Sequence, residues 1–257
     1  MSLVAITRAV SRSLSECELT HIDRVPIDLA VAREQHAEYE ALLTVLGCRV
    51  IQLAEARQLP DAVFIEDTAV VLDELAVITR PGAVSRRGEI QAVAEALEAW
   101  RPVVRLPDPA TLDGGDVMRV GRTLYVGLGP RTNEPGVAQL ADAVRRHGYE
   151  VRAVPVQGAL HLKTAVTAVG EGLLLVNPAW VDPGLFGESG MIEVHAEEPF
   201  AANALRVGDT IIHSTAFPRT QRRLTSRGLS VRGVNAGELA KAEGGVTCCS
   251  LVFDSKG

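Results

Sequence analysis

The sequence predicts an α/β fold, specifically a five-bladed α/β propeller of ββαβ units closed by pairing of the N- and C-terminal strands. Three observations predict it. A two-strand pattern recurs along the chain, one-faced helical patterns fill the gaps between recurrences, and the last unit lacks a half that the first residues supply.

Segments beginning at Asp67, Asp116, Ala165, Asn203 and Cys248 are separated by 49, 49, 38 and 45 residues. Four positions after each start stand Val71, Val120, Val169, Val207 and Val252, and in three units Gly121, Gly170 and Gly208 follow at once. The first four read DTAVVLDELAVITRP, DVMRVGRTLYVGLGP, AVTAVGEGLLLVNP and NALRVGDTIIHS. Each places two apolar runs around a turn with Gly, Asp or Glu, the pattern of a β-hairpin. The fifth, CCSLVFDSKG, stops after one strand, while ITRAVSRS (6–13) resembles ITRPGAVSRR (78–87). Pairing of the two termini would close the ring.

Between hairpins, apolar residues fall at helical spacing: Tyr39, Leu42, Leu43 and Leu46; Ile90, Val93, Ala94 and Leu97; Val137, Leu140, Ala141 and Val144. Gly47 and Gly148 stand where C-cap glycines belong. Strand-like runs follow at 49–53, 103–106, 151–156 and 230–234, which makes the unit ββαβ. Units this small cannot bury their faces alone, and stacking around an axis solves that. One domain over 1–257 is expected. A doubly wound sheet would alternate single strands with helices and carry no hairpin repeat.

Composition narrows the function. Apolar residues make up 47% and charged residues 23%, an ordinary globular balance. With 26 basic against 32 acidic residues, a net charge of −6 and no Lys/Arg cluster, nucleic acid and membrane surfaces are excluded as partners. No apolar run approaches the roughly 20 residues that span a bilayer, and the start lacks a signal-peptide pattern, so a cytoplasmic location is expected. Cys17, Cys48, Cys248 and Cys249 suggest neither a disulfide framework nor a structural zinc site. The expected partner is a small molecule, and the outer helices leave a homodimer open.

In a ring of equivalent hairpins, residues at or just before each repeat start converge on the axis. Here these include Glu66 and Asp67, Asp113-Gly-Gly-Asp116, His161-Leu-Lys163, Asn203 and Cys248. Alone, an Asp beside Gly-Gly is a turn former and a Cys in an apolar run packs as a small hydrophobe. Recurrence at equivalent positions makes them candidates. A thiol near a histidine provides a nucleophile and an acid/base. Carboxylates would repel a developing oxyanion but suit a cationic electrophile, and a guanidinium matches them in bidentate geometry. Asp67 and Asp113 could clamp it with its carbon facing Cys248; His161 would protonate the departing nitrogen and then activate water. This chemistry needs no cofactor and no metal, although such a group could take up adventitious Zn²⁺.

At these residues the chain resembles the guanidino-group-modifying superfamily, and within it the dimethylarginine dimethylaminohydrolases. The resemblance runs through LPDAVFIEDTAVV (59–71), ITRPGAVSRRGE (78–89), LDGGDV (112–117), VGLGPRTN (126–133), LHLKT (160–164), AANAL (201–205) and GGVTCCSL (244–251). It implies the five-bladed propeller and the conversion of asymmetric dimethylarginine or monomethylarginine to citrulline plus dimethylamine or methylamine, without an organic cofactor. It further implies Cys248 as nucleophile, His161 as acid/base, Asp113 as the residue orienting histidine and guanidinium, and Asp67 as the second clamp. By the same resemblance Asp61 and Glu66 belong on the pocket wall, Arg86 and Arg131 near the substrate α-carboxylate, a backbone contact at Ala242, and a lid contact at Leu19.

Two further readings concern specificity and the paired cysteines. Successive strand residues point to opposite faces, so only one of Cys248 and Cys249 should face the pocket, and the repeat start selects Cys248. Deiminases of arginine carry a helical insertion and typically read HLD where this chain has His161-Leu162-Lys163. Lys163 is expected to remove a ligand for an unsubstituted guanidinium nitrogen and so favour methylated substrates. The alternatives are an arginine or agmatine deiminase, and a non-catalytic propeller binding module like the ribosome anti-association factors.

Overall fold

The computed structural model describes residues 2–255. Strand β1 (Leu3–Arg8) leads through helix α1 (Leu29–Val45) to β2 (Cys48–Leu53), which runs parallel to it. Next come β3 (Ala69–Val71), β4 (Ala76–Ile78), α2 (Ile90–Glu98) and β5 (Val103–Arg105), then β6 (Val117–Val120), β7 (Thr123–Leu128), α3 (Glu134–Arg145) and β8 (Glu150–Pro155). The short helix α4 (Leu162–Ala165) precedes β9 (Val166–Gly170), β10 (Leu173–Val176) and β11 (Gly190–Glu193). The last full blade is β12 (Ala204–Val207), β13 (Thr210–Ser214), α5 (Pro218–Ser226) and β14 (Ser230–Val234). Short α6 (Gly237–Ala240) and β15 (Leu251–Asp254) complete the described chain.

Five three-stranded sheets result, each an antiparallel strand pair with a third strand added in parallel. The fifth is assembled from both ends of the chain: β15 pairs antiparallel with β1, Leu3 opposite Asp254 and Ile6 opposite Leu251. The resemblance between 6–13 and 78–87 therefore marked a real equivalence of blades. Innermost strands of successive blades meet around the axis, β3 against β15, β6 against β9, and β9 against β12.

Local chemistry accounts for the elements. The Asp28 carboxylate caps α1 by accepting the Ala30 and Val31 amides at 2.9 and 3.2 Å. Asn133 caps α3 through Gly136 N at 2.8 Å. Gly47 and Gly148 follow the helices with φ of +90° and +76°, a region that favours glycine. Leu140 and Val144 of α3 are fully buried against Val77, Val117 and Val126, so the core lies between adjacent blades. Burying each such side chain contributes about 1.5–3 kcal/mol.

One blade departs from ββαβ. Between β10 and β11 stands only a 3-10 turn, Pro183–Phe186, because the 38-residue spacing is short and Pro178, Pro183, Gly184 and Gly187 interrupt any helix there. Strand β11 lay outside the strand-like runs, and α5, whose sequence PRTQRRLTS buries only Thr220 and Leu224, lay outside the helical patterns.

Candidate active site

Each innermost strand is preceded by a tight turn, and these turns carry the polar residues of the repeat starts. Asp67 lies on the 3-10 turn Ile65–Thr68, Asp113 immediately precedes the turn Gly114–Asp116, and His161 precedes α4. The strands aim all three at one end of the axis. His161 Nε2 and Asp113 Oδ2 are 2.9 Å apart, and Asp67 Oδ1 is 3.8 Å from the same nitrogen. Gly115 is obligatory in this turn, since a Cβ there would stand 2.7 Å from Asp67 Oδ1 and 2.9 Å from His161 Nδ1.

Both carboxylates are already well engaged. Asp67 accepts from Arg86 Nη1 at 2.5 Å and from Gly115 N at 2.9 Å. Asp113 Oδ1 accepts Gly82 N at 2.9 Å, and Arg131 Nη1 lies 3.8 Å from Asp113 Oδ2. Arg86 is also held by Glu89 at 2.8 Å and by the Phe64 carbonyl at 2.9 Å. Asp67, Asp113 and His161 bring polar atoms within 4.8 Å of one another, a spacing a small cation would tolerate. Here those atoms are committed to each other, to Arg86 and to backbone amides.

Cys248 does not sit on a strand. It lies in the turn before β15, so the strand-alternation argument for choosing between the two cysteines does not apply. The turn itself separates them: Cys248 is half-buried at a cavity wall, whereas Cys249 is buried in the core. Asn203 holds the turn, its Oδ1 accepting Thr247 N at 3.0 Å and its Nδ2 donating to Thr247 Oγ1 at 2.9 Å. Glu66 holds it from behind through Thr247 Oγ1 at 2.7 Å and through its own amide, which donates to the Cys248 carbonyl at 3.1 Å.

The electrostatics follow from this packing. Burial alone would lower the His161 pKa, but the Asp67 charge and the Asp113 hydrogen bond, with Asp116 behind, raise it to about 9. Burial favours the neutral form of Asp67, yet the charges of His161 and Arg86 prevail and bring it to about 2. Cys248 is pushed up to about 12, first by burial and then by the negative charges of Glu66 and Asp67. At neutral pH the site therefore holds an imidazolium and a neutral thiol.

The family described as eukaryotic N,N dimethylarginine dimethylhydrolase matches residues 23–184. A Streptomyces coelicolor protein named N(G),N(G)-dimethylarginine dimethylaminohydrolase is 40% identical over 249 residues, 96% of this chain and 95% of that one. The chain belongs to the dimethylarginine dimethylaminohydrolase family. A second family member, from Pseudomonas aeruginosa, is 35% identical over 96% of this chain and 98% of its own. The solved dimethylarginine dimethylaminohydrolase from Pseudomonas aeruginosa, a cysteine-to-serine variant complexed with citrulline, superposes with a TM-score of 0.94 at 34% identity. That superposition covers 98% of this chain and 100% of the other, so the propeller is the family fold.

Of the residues that the family resemblance singled out, Asp61, Asp67, Arg86, Arg131, His161, Ala242 and Cys248 line one narrow cavity, with Glu18 and Glu243. Asp113 lies fully buried behind it, on His161. Glu66 and Leu19 adjoin that cavity without lining it. Glu66 Oε1 accepts from Lys163 Nζ at 2.6 Å, and both line a recess of the axis apart from the Cys248 cavity. Leu19 packs on the core beside α1, between Glu18 and Thr20, which are tied to the cavity residues Asp61 and Glu243. The Lys163 ammonium is held by Glu66 and by the Gly114 carbonyl at 3.2 Å and does not line the Cys248 cavity.

Two groups escaped the sequence reading of this family member. Glu243 has φ +58°, and its carboxylate accepts three successive amides, Thr20 N, His21 N and Ile22 N, at 2.9, 2.5 and 3.1 Å. With Glu18 N donating to the Asp61 carboxylate at 3.2 Å, this fastens segment 18–22 beside the cavity. The other is Asp116, a repeat start that the chemistry had not used. Among the described residues all four cysteines are free, and no helix is long and apolar enough to cross a membrane.

Proposed function

We propose that this chain hydrolyses Nω-methylated arginines, asymmetric dimethylarginine and monomethylarginine, to citrulline and dimethylamine or methylamine. Carrying the reading is the meeting of a thiol, an imidazolium and two carboxylates at one cavity, in a chain similar over nearly its whole length to proteins named for that activity. Cys248 is the nucleophile, His161 the acid/base, Asp67 the carboxylate on the cavity wall that receives the guanidinium, and Asp113 the buried carboxylate that orients His161. Arg86 and Arg131 supply positive charge for the substrate α-carboxylate. Arg86 makes that contribution largely through the field, because Asp67 and Glu89 already hold it.

The reaction then runs as follows. In the empty site the thiol is neutral, since burial and two nearby carboxylates oppose the thiolate. A bound guanidinium brings positive charge directly against the sulfur, the thiol proton leaves to solvent, and the sulfur attacks the guanidinium carbon. The protonated His161 gives its proton to the methylated nitrogen, the C–N bond breaks, and a Cys248 thiouronium remains. Neutral His161 next takes a proton from water, whose oxygen adds to the same carbon. Collapse of that adduct breaks the C–S bond, its hydroxyl proton passing to the departing sulfur, which restores the neutral thiol and leaves the ureido group of citrulline.

Preference for methylated substrates rests on the occupancy of the carboxylates. An unsubstituted guanidinium brings N–H donors that need acceptors, and a buried donor left unpaired costs about 1–3 kcal/mol. Asp67 and Asp113 already serve Arg86, His161 and backbone amides, while Leu160, Phe217 and Ala240 present apolar surface on the other side of Cys248. Methyl groups suit that surface. A cytoplasmic location belongs to the same proposal, supported by four free cysteines.

The test is incubation with dimethylarginine, monomethylarginine, arginine and agmatine, with assay of citrulline and released amine. Methylated arginines should exceed arginine in kcat/KM by at least about tenfold, and agmatine, which has no α-carboxylate, should fail. Equal or better turnover of arginine or agmatine would move the chain to the deiminases. No turnover of any of the four would leave a binding module.

A further inference from the structure

Asp116 lies behind the acid/base pair with 2% of its surface exposed, and both of its carboxylate oxygens are used. Oδ1 accepts Leu162 N, the amide that follows His161, at 2.9 Å. Oδ2 accepts Thr132 Oγ1 at 2.6 Å, and the same hydroxyl oxygen accepts Asp113 N at 3.2 Å. One carboxylate is thus tied to the backbone on both sides of the Asp113–His161 contact. We infer that Asp116 is a positioning residue of the reaction, fixing His161 and Asp113 relative to each other while touching no substrate.

Two local features support the assignment. An extended residue ahead of a helical turn commonly uses its own side chain to accept the first free amides. His161 occupies that place before α4 with φ −134° and ψ 159°, yet its ring makes no such bond because it is turned onto Asp113. Asp116 supplies the missing acceptor from another blade, which frees the imidazole for chemistry. Room for it is provided at Gly127 of β7, where a Cβ would stand 2.6 Å from Asp116 Oδ1 and 3.0 Å from Leu162 Cβ. Any larger residue at 127 would drive the carboxylate or α4 out of place.

A group that only orients the acid/base should affect the chemical steps more than substrate binding. Removing it lets the His161 backbone drift, and a misplacement of about 1 Å can cost about 10²-fold in rate. Asp116→Ala should therefore lower kcat about 10²-fold with KM changed less than about threefold. Asp116→Asn keeps an oxygen for Leu162 N and should recover most of that loss, to within about fivefold of the parent. Thr132→Val, which removes the bond to Asp116 Oδ2 and with it the link to Asp113 N but leaves the Asp116 bond to Leu162 N, should cost about tenfold.

The inference rests on the proposed hydrolysis for its kinetic arm, so the experiment carries a second arm that needs no substrate. Proton NMR should show a downfield ring N–H of His161, held on Asp113 in the parent and in Asp116→Asn, and lost in Asp116→Ala. Thermal melts of all variants monitor the fold, and Thr132→Val gives the answer if Asp116→Ala does not fold. A parent that releases no citrulline but keeps the N–H pattern refutes the hydrolysis while supporting the positioning. Overturning the inference would take a folded Asp116→Ala with nearly unchanged kcat and N–H signal. Equal losses in the Ala and Asn variants that follow melting temperature would do the same, as would an undiminished kcat in Thr132→Val where the Ala variant is unfolded.

Discussion

Alkylation of Cys248 in the substrate-free protein reads the electrostatics of the site without assuming its reaction. Burial and the charges of Glu66 and Asp67 raise this thiol to about 12, against 9.0 for an ordinary thiol on the same scale. Because the pKa is raised, the neutral form prevails at every pH below it, and the thiolate falls tenfold for each unit of pH. At pH 8 an ordinary thiol is about one-tenth ionised and Cys248 about one part in 10⁴, so neutral iodoacetamide should react about 10³-fold more slowly than with a free thiol. The logarithm of the rate should climb with unit slope from about pH 7 to 9, without a plateau. A chloroacetamidine, which brings a positive charge beside the thiol and its neighbouring carboxylates, should react at least about tenfold faster than the neutral reagent. Peptide mass mapping confines the reading to Cys248, since Cys17, Cys48 and Cys249 are buried. A plateau below pH 9, or reaction at the rate of an ordinary thiol, would refute the account of how the thiol is controlled.

Cys248→Ser should abolish turnover and Cys249→Ser should retain most of it, because only the first lines the cavity; steady-state kinetics on the two variants checks this. His161→Gly should slow turnover by about 10²- to 10⁴-fold, with the covalent intermediate accumulating if hydrolysis suffers more than attack; quenched-flow sampling separates the two. Glu243→Gln weakens three charge-assisted hydrogen bonds to segment 18–22, each worth about 1.5–3 kcal/mol, and should raise KM about tenfold or more while making that segment easier to cleave in limited proteolysis.

The ring was legible because hairpins and one-faced helices write their periods into sequence, and because β1 repeats the pattern of β4. The blade with Pro183 and Gly184 was less so, since its link between strands is a 3-10 turn with no apolar period. The choice of polar residues was legible for a related reason: Asp67, Asp113, His161 and Cys248 stand on turns before equivalent strands, and equivalence alone brings them together. Which way each side chain turns was not. Glu66 is adjacent to Asp67 in sequence yet points to the other side, where it holds Lys163 and Thr247. The Cys248 turn is set by Asn203 and Glu66, residues 45 and 182 positions away, and no local pattern records such contacts.

The covalent step is the centre of the account, and acid-quenched mass spectrometry during turnover tests it most directly. Parallel samples with dimethylarginine and with monomethylarginine should each show an adduct on the peptide containing Cys248, and the two adducts should have the same mass, because the methylated amine has already left when the thiouronium forms. Adducts that differ by the methyl groups, an adduct on another cysteine, or steady release of citrulline with no adduct under any quench condition would contradict it.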